Sequence, residues 1–316
     1  MPTTSAAQTE IIELETHRRA REQITSLAEL FFSGEQPLRG LRLRLFPLVV
    51  GPTGVGKSHL VGHAATMLRS DYLKVTRGDW FVQGTKCGRP TVYQILDRVV
   101  TFPRVVLHID ELDKFQINFG SQEWSASIAS DLWNILDGRF PVTEYLRDTE
   151  FPGREKPCEK SVTGWIRSRL WIVGSGTWQS VFQETRTRKS IGFNLCHTEA
   201  TVDGDLIAQS ELISPELLHR FNSDMIFLGY PNREETIRLL KSTGIDSLAA
   251  EMNQSIDPAT IDWTKGGFRV LEALATRLVL MRDRRHQTQF AERIARRLNA
   301  PHELRDDGPA IDSPIF

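Results

Sequence analysis

Gly51-Pro52-Thr53-Gly54-Val55-Gly56-Lys57-Ser58 stands between an apolar run, Leu43 to Val50, and a helical pattern from His59 to Leu68. A strand, a glycine-rich turn and a helix in that order are the setting in which G-x-x-x-x-G-K-[ST] builds a phosphate-binding loop. The glycines let successive backbone N–H groups turn toward an anion, and the start of the following helix adds the positive end of its dipole. Lys57 would then offer a cation to the β- and γ-phosphates of a nucleotide, and Ser58 a hydroxyl oxygen to Mg2+. The loop therefore predicts an α/β core with a doubly wound parallel sheet.

Working outward, Arg104 to Asp110 and Leu170 to Val173 are apolar runs bounded by turn residues, and read as central parallel strands. The first ends in His108-Ile109-Asp110-Glu111-Leu112-Asp113-Lys114. A strand tip of that kind delivers two adjacent carboxylates to the sheet edge nearest the phosphate loop. Asp110 is expected to hold Mg2+, and Glu111 to polarise an attacking water. Glu10 to Phe32 and Ser125 to Gly138 carry helical spacing, whereas Arg139 to Arg169, with its prolines and alternating charge, reads as an inserted hairpin or loop. After Gly229-Tyr-Pro-Asn the pattern is helical throughout: Glu234 to Ser242, Ile245 to Asn253, Phe268 to Arg282, and Gln289 to Leu298. The expected division is a nucleotide-binding domain over 1–229, a small helical domain over 230–300 hinged near Pro231, and a frayed tail over 301–316.

Bulk properties narrow the choice of partner. Hydrophobic residues make up 40% and charged residues 25%, with a formal net charge of -1, so nothing global draws the molecule to nucleic acid or anionic membrane. No apolar run is long enough to cross a bilayer, and Met1 to Glu10 lacks the apolar centre of a signal peptide, so a cytoplasmic location is expected. Cys87, Cys158 and Cys196 are far apart, which suits reduced thiols and gives no CxxC pair for zinc.

Five segments in order give a more specific resemblance: Gly51 to Ser58, Ile109-Asp-Glu-Leu-Asp-Lys114, Trp171-Ile-Val-Gly-Ser-Gly-Thr177, Leu212-Ile-Ser-Pro-Glu-Leu-Leu-His-Arg-Phe221, and Gly266-Gly-Phe-Arg269. The chain resembles the AAA+ ATPases, and within them the ClpX/HslU-type protein unfoldases. That resemblance implies an α/β, doubly wound parallel-sheet P-loop NTPase core with a small C-terminal all-helical lid domain. It also implies ATP and Mg2+ as cofactors and a homo-oligomeric ring, a hexamer, that unfolds, translocates or remodels a protein substrate or complex.

The same resemblance assigns roles by position. Ser175 or Thr177 falls where the family keeps a polar sensor of the γ-phosphate; the usual Asn is absent, and a polar strand end without contact to ATP is the alternative. Arg220 matches the arginine finger that reaches the nucleotide of a neighbouring subunit, and Arg269 the second sensor arginine at the start of a lid helix. Trp80 and Phe81 lie where ClpX-like rings place an aromatic pore loop, with ordinary core packing as the other reading. Ile191-Gly192-Phe193 repeats the tripeptide through which ClpX docks onto its peptidase, or is a surface loop or a strand. Arg277, Arg282, Arg284, Arg285, Arg293, Arg296 and Arg297 make the last helices basic, which reads as a solvated face or subunit contact. A phosphate-binding patch is the alternative, and with it a nucleic-acid loader or switch.

Overall fold

The computed structural model describes residues 14–34, 43–83, 89–115, 122–153, 155–182, 204–210, 212–221 and 224–298. The chain divides into two compact units, Met1–Glu235 with Trp263–Phe268, and Thr236–Asp262 with Arg269–Phe316. A linear division of the sequence misses the return of Trp263–Phe268 to the first unit.

Alternation along the strands explains the first unit. Five strands, β1 (Leu48–Val50), β2 (Asp71–Val75), β3 (Val105–Ile109), β4 (Leu170–Gly176) and β5 (Ile226–Phe227), form one sheet in the order β2-β3-β4-β1-β5. Every pairing is parallel. Successive side chains of a strand point to opposite faces. Val49, Val106, Trp171, Val173 and Ile226 accordingly bury one face, against α1 (Glu15–Ser33) and α2 (Lys57–Met67) through Ala20, Ile24, Ala28, Leu60, Val61 and Ala64. Leu48, Val50, Leu107, Ile109 and Ile172 bury the other face. There they pack with α4 (Thr91–Thr101), α5 (Gln122–Leu136), α6 (Val142–Asp148) and α7 (Glu159–Arg169). α3 (Arg77–Gln83) follows β2.

The sheet order also fixes where a ligand can bind. β1, first in the chain, lies between β4 and β5, so the connections depart to either side of it, and an open α/β sheet binds ligands beyond its carboxyl ends at such a reversal. Register brings the tips together, because Val50 pairs with Gly176 and Ile109 with Gly174.

Two readings of the sequence are corrected here. Arg139 to Arg169 is not a hairpin: it carries α6 and α7, since Val142, Tyr145 and Leu146, and Val162 and Ile166, recur at helical spacing and are buried. In the second unit, the helices expected over Phe268 to Arg282 and Gln289 to Leu298 are one helix, Arg269–Leu298. The residues between, Asp283-Arg-Arg-His-Gln-Thr288, include no glycine or proline to stop it. The helix Ile245–Glu251 and the short turn Pro258–Thr260 are the other regular elements of that unit among its described residues beyond Ser242.

Candidate nucleotide-binding site

The loop Gly51 to Ser58 is shaped from both ends of the first unit. Gly54 and Gly56 have φ of 80° and 88°, in the left-handed region that favours glycine. At Gly54 there is a second reason: a Cβ would strike the carbonyl of Gly266, and a Cβ on Gly267 would strike Gly54. This close approach lets the Phe268 backbone N–H donate to Gly54 O at 2.9 Å. From α1, the His17 ring lies with Nε2 2.7 Å from Val55 O, and because a carbonyl only accepts, that nitrogen carries the proton. The Phe268 ring meets His17 edge to face at 5.8 Å. Two segments far apart in sequence thus hold the backbone of the loop.

Lys57 is buried and donates to Gly51 O at 2.6 Å and Pro52 O at 2.9 Å. Burial pushes its ammonium down to about 8, against the pull of Asp110, Asp113 and Glu111. Ser58 Oγ donates to Asp110 Oδ2 at 2.8 Å, so the loop hydroxyl and the strand-tip carboxylate meet as the sequence anticipates. Lys74 Nζ joins them, 2.6 Å from Asp110 Oδ2 and 3.2 Å from Ser58 Oγ.

The other oxygen of Asp110 ends a directed chain of hydrogen bonds. An ionised carboxylate only accepts, so Ser175 Oγ–H donates to Asp110 Oδ1 at 2.5 Å. Ser175 Oγ then accepts from His108 Nε2–H at 2.8 Å, which leaves Nδ1 to accept from the Tyr72 hydroxyl at 2.7 Å. Burial pushes the Tyr72 hydroxyl well above its ordinary range, which keeps it a donor. Burial also holds His108 down to about 4, so at neutral pH it acts as an N–H dipole and not as a cation. For Asp110 itself burial opposes ionisation, but His108, Lys74, Ser175 and Ser58 outweigh it and hold the carboxyl well below the usual carboxylate range.

Glu111 turns the chain out of β3 with φ 60° and ψ 38°, a left-handed conformation that a non-glycine residue adopts at some cost. Its N–H donates to Asp110 Oδ1 at 2.9 Å, and its carboxylate accepts from Lys114 Nζ at 2.6 Å. One turn on, buried Asp113 accepts from the Thr177 N–H at 2.9 Å and the Thr177 hydroxyl at 2.8 Å, tying the tip of β4 to the tip of β3.

Hard oxygen donors suit Mg2+, and Ser58 and Asp110 present a hydroxyl and an ionised carboxylate side by side. The residues fit a metal–nucleotide: the loop N–H groups and Lys57 would meet phosphate, and Ser58 and Asp110 would hold the metal, which would neutralise phosphate charge when bound.

The remaining residues singled out from sequence have these positions. Ser175, at the strand tip expected to sense a γ-phosphate, is fully buried, with its hydroxyl bonded to Asp110 and His108. Arg220 is held within its own chain: it pairs with Asp137 through Nε at 2.8 Å and Nη2 at 3.1 Å, donates to Glu216 O and stacks over Trp133. Arg269 opens the long helix of the second unit. Trp80 is 6% exposed in the main core, edge to face with Phe115 at 5.5 Å, so the expectation that it projects into a channel is corrected to core packing. The backbone of Phe81 lies in α3 and its side chain falls outside the described residues, as do Ile191, Gly192 and Phe193 entirely.

Sequence reasoning missed His17, Tyr72, Lys74, His108 and Asp113. A signal existed for His108 and Asp113, which stand inside or just after an apolar strand. Nothing local marks His17 or Lys74.

Residues 47–146 match the model of the ATPase family associated with various cellular activities (AAA). That stretch contains the phosphate loop and the Asp110-Glu111 tip. No curated protein matches the chain. Among solved structures, the chain is similar to the FIGL-1 AAA domain in complex with ADP, at 14% identity and TM-score 0.46, over 79% of this chain and 62% of that one. A second structure of the FIGL-1 AAA domain is similar at 15% identity and TM-score 0.41, over 75% of this chain and 58% of that one. The chain therefore spans about three fifths of the length of these structures.

Proposed function

We propose that this chain binds ATP with Mg2+, hydrolyses it, and couples hydrolysis to the unfolding, translocation or remodelling of a protein substrate or complex. The observation that carries the ATPase reading is the meeting of Ser58 and Asp110 at 2.8 Å in front of a phosphate loop backed by Lys57. In this reading Gly51, Pro52, Thr53, Gly54, Val55, Gly56, Lys57 and Ser58 cradle the phosphates. Ser58 and Asp110 hold the metal, Ser175 orients Asp110, and Glu111, released from Lys114, accepts a proton from the attacking water. Arg269 opens a helix that serves as a lid sensor.

The chain works as a homo-oligomer, a hexameric ring in the manner of the ClpX/HslU-type unfoldases, in the cytoplasm. Arg220 leaves Asp137 to serve the nucleotide of the neighbouring subunit. Phe81 contacts substrate, and Ile191-Gly192-Phe193 docks a partner protein. No described helix is long and apolar enough to cross a membrane.

Mixing tests the ring directly. Arg220→Ala protein should bind nucleotide yet lose turnover, and adding Glu111→Gln protein should restore part of it, because a mixed interface joins an intact Arg220 to an intact Glu111. Absence of rescue in assembled mixed rings counts against a finger acting across the interface. A nucleic-acid-associated ATPase is the second reading, favoured by exposed Arg277, Arg284 and Arg285 on the long helix. Salt-dependent retention of DNA on a filter would select it.

A further inference from the structure

Among the described residues whose side chains contact Ser58 or Asp110, Lys74 is left without a task by the functional reading. It lies on β2, an edge strand, in register with His108, and its half-exposed side chain crosses to the tip of β3. Its ammonium touches the same two atoms that would hold Mg2+, Asp110 Oδ2 at 2.6 Å and Ser58 Oγ at 3.2 Å. Lys57, the lysine of the phosphate loop, is turned instead to the carbonyls of Gly51 and Pro52. The cation neutralising Asp110 is therefore Lys74. Asp110 is only 10% exposed at its side chain, so this contact is unlike a fully solvated surface pair.

We infer that Lys74 is a tethered competitor of the divalent cation: its ammonium occupies the Ser58 and Asp110 oxygens in the nucleotide-free protein and has to withdraw when metal–nucleotide binds. The inference rests on the proposed Mg2+-nucleotide site. Two cations cannot share one carboxylate oxygen without repulsion, and a four-carbon arm that is 40% exposed has solvent into which to retreat. The consequence is a raised metal requirement. Asp110 stays paired and shielded until metal arrives, and the concentration of metal needed to load the site is set in part by how tightly Lys74 holds on.

The test compares wild type with Lys74→Met and Lys74→Arg, using fluorescent ADP binding titrated with Mg2+, and electron paramagnetic resonance of bound Mn2+ in the presence of ADP. Lys74→Met should lower the metal concentration at half-saturation by at least about threefold, the scale of one partly exposed ion pair. It should leave the affinity for ADP in EDTA within about twofold, since Lys74 touches the metal-facing oxygens and not the loop N–H groups. Lys74→Arg, which keeps the charge, should stay near wild type. An unchanged or raised metal midpoint in Lys74→Met overturns the inference while leaving the nucleotide site standing. A wild-type protein that binds no metal–nucleotide overturns both. A measurement on the unmodified sequence covers failure of a variant to fold. Amine acetylation read by mass spectrometry should modify Lys74 faster in Mg2+-ADP than in the nucleotide-free protein, and equal or slower labelling would overturn the displacement.

Discussion

Replacing Ser175 with Ala removes one hydroxyl from the directed chain that fixes Asp110. The lost bond to the ionised carboxylate is worth about 1.5–3 kcal/mol, and His108 Nε2–H is left as a buried donor whose desolvation costs about 1–3 kcal/mol. The two losses overlap because they share one oxygen, so a net destabilisation of about 2–4 kcal/mol is expected. Partners of a metal ligand typically tune metal affinity by about 10–100-fold, and the Mg2+ dependence of nucleotide binding should weaken on that scale.

The pH dependence follows from the sign of the shift. Asp110 is held below its ordinary value, so its contribution to stability is complete above the usual carboxylate range and is lost as pH falls through the folded-state value. With Ser175→Ala that value rises, and acid unfolding should begin at higher pH. Urea denaturation at neutral and acid pH, with a Mg2+ titration of fluorescent ADP binding, measures all three effects. A variant within about 0.5 kcal/mol of wild type and with the same Mg2+ dependence would refute the chain as the device that holds Asp110.

Two further outcomes follow from burial. Lys57 sits at about 8 before phosphate is bound, and an anion favours its charged form, so metal-free ADP should bind best below pH 8 and progressively more weakly above it, with proton uptake on binding. An affinity flat from pH 7 to about 9.5 would remove Lys57 from contact with phosphate. Trp80→Ala should cost about 3–5 kcal/mol through the cavity it opens, while Trp80→Phe costs much less; equal melting of Trp80→Ala and wild type would return Trp80 to a solvent-facing role.

The parts of the fold that were legible in sequence are those whose chemistry is local. The phosphate loop and the Asp110-Glu111 tip need particular residues at fixed spacing next to apolar strands, and both stand where those patterns put them. β2 was not legible, because an edge strand reading Asp-Tyr-Leu-Lys-Val mixes polar with apolar residues, and two-residue β5 is too short to have a period. α6 and α7 were hidden by the prolines and charges between them, although each carries a buried stripe of its own. The contacts of His17 with Val55, of Phe268 with Gly54 and of Lys74 with Asp110 join residues remote in sequence, and no local pattern encodes them. Ser175 stands at the strand tip that the sequence marks, but the turn of its hydroxyl to Asp110 depends on how β3 and β4 align, which no local pattern encodes.

The central claim, ATP hydrolysis at the junction of the phosphate loop and the tip of β3, is tested most directly by phosphate release from Mg2+-ATP in wild type and Glu111→Gln, at protein concentrations where both are saturated with nucleotide. Glu111 contacts Lys114 and stands clear of the phosphate-loop bonds, so the substitution should leave nucleotide affinity near that of wild type. Removing the group that takes a proton from water should slow turnover by about 10²-fold or more. Equal rates of phosphate release in the two proteins, or no release by wild type under saturating Mg2+-ATP, would contradict the account.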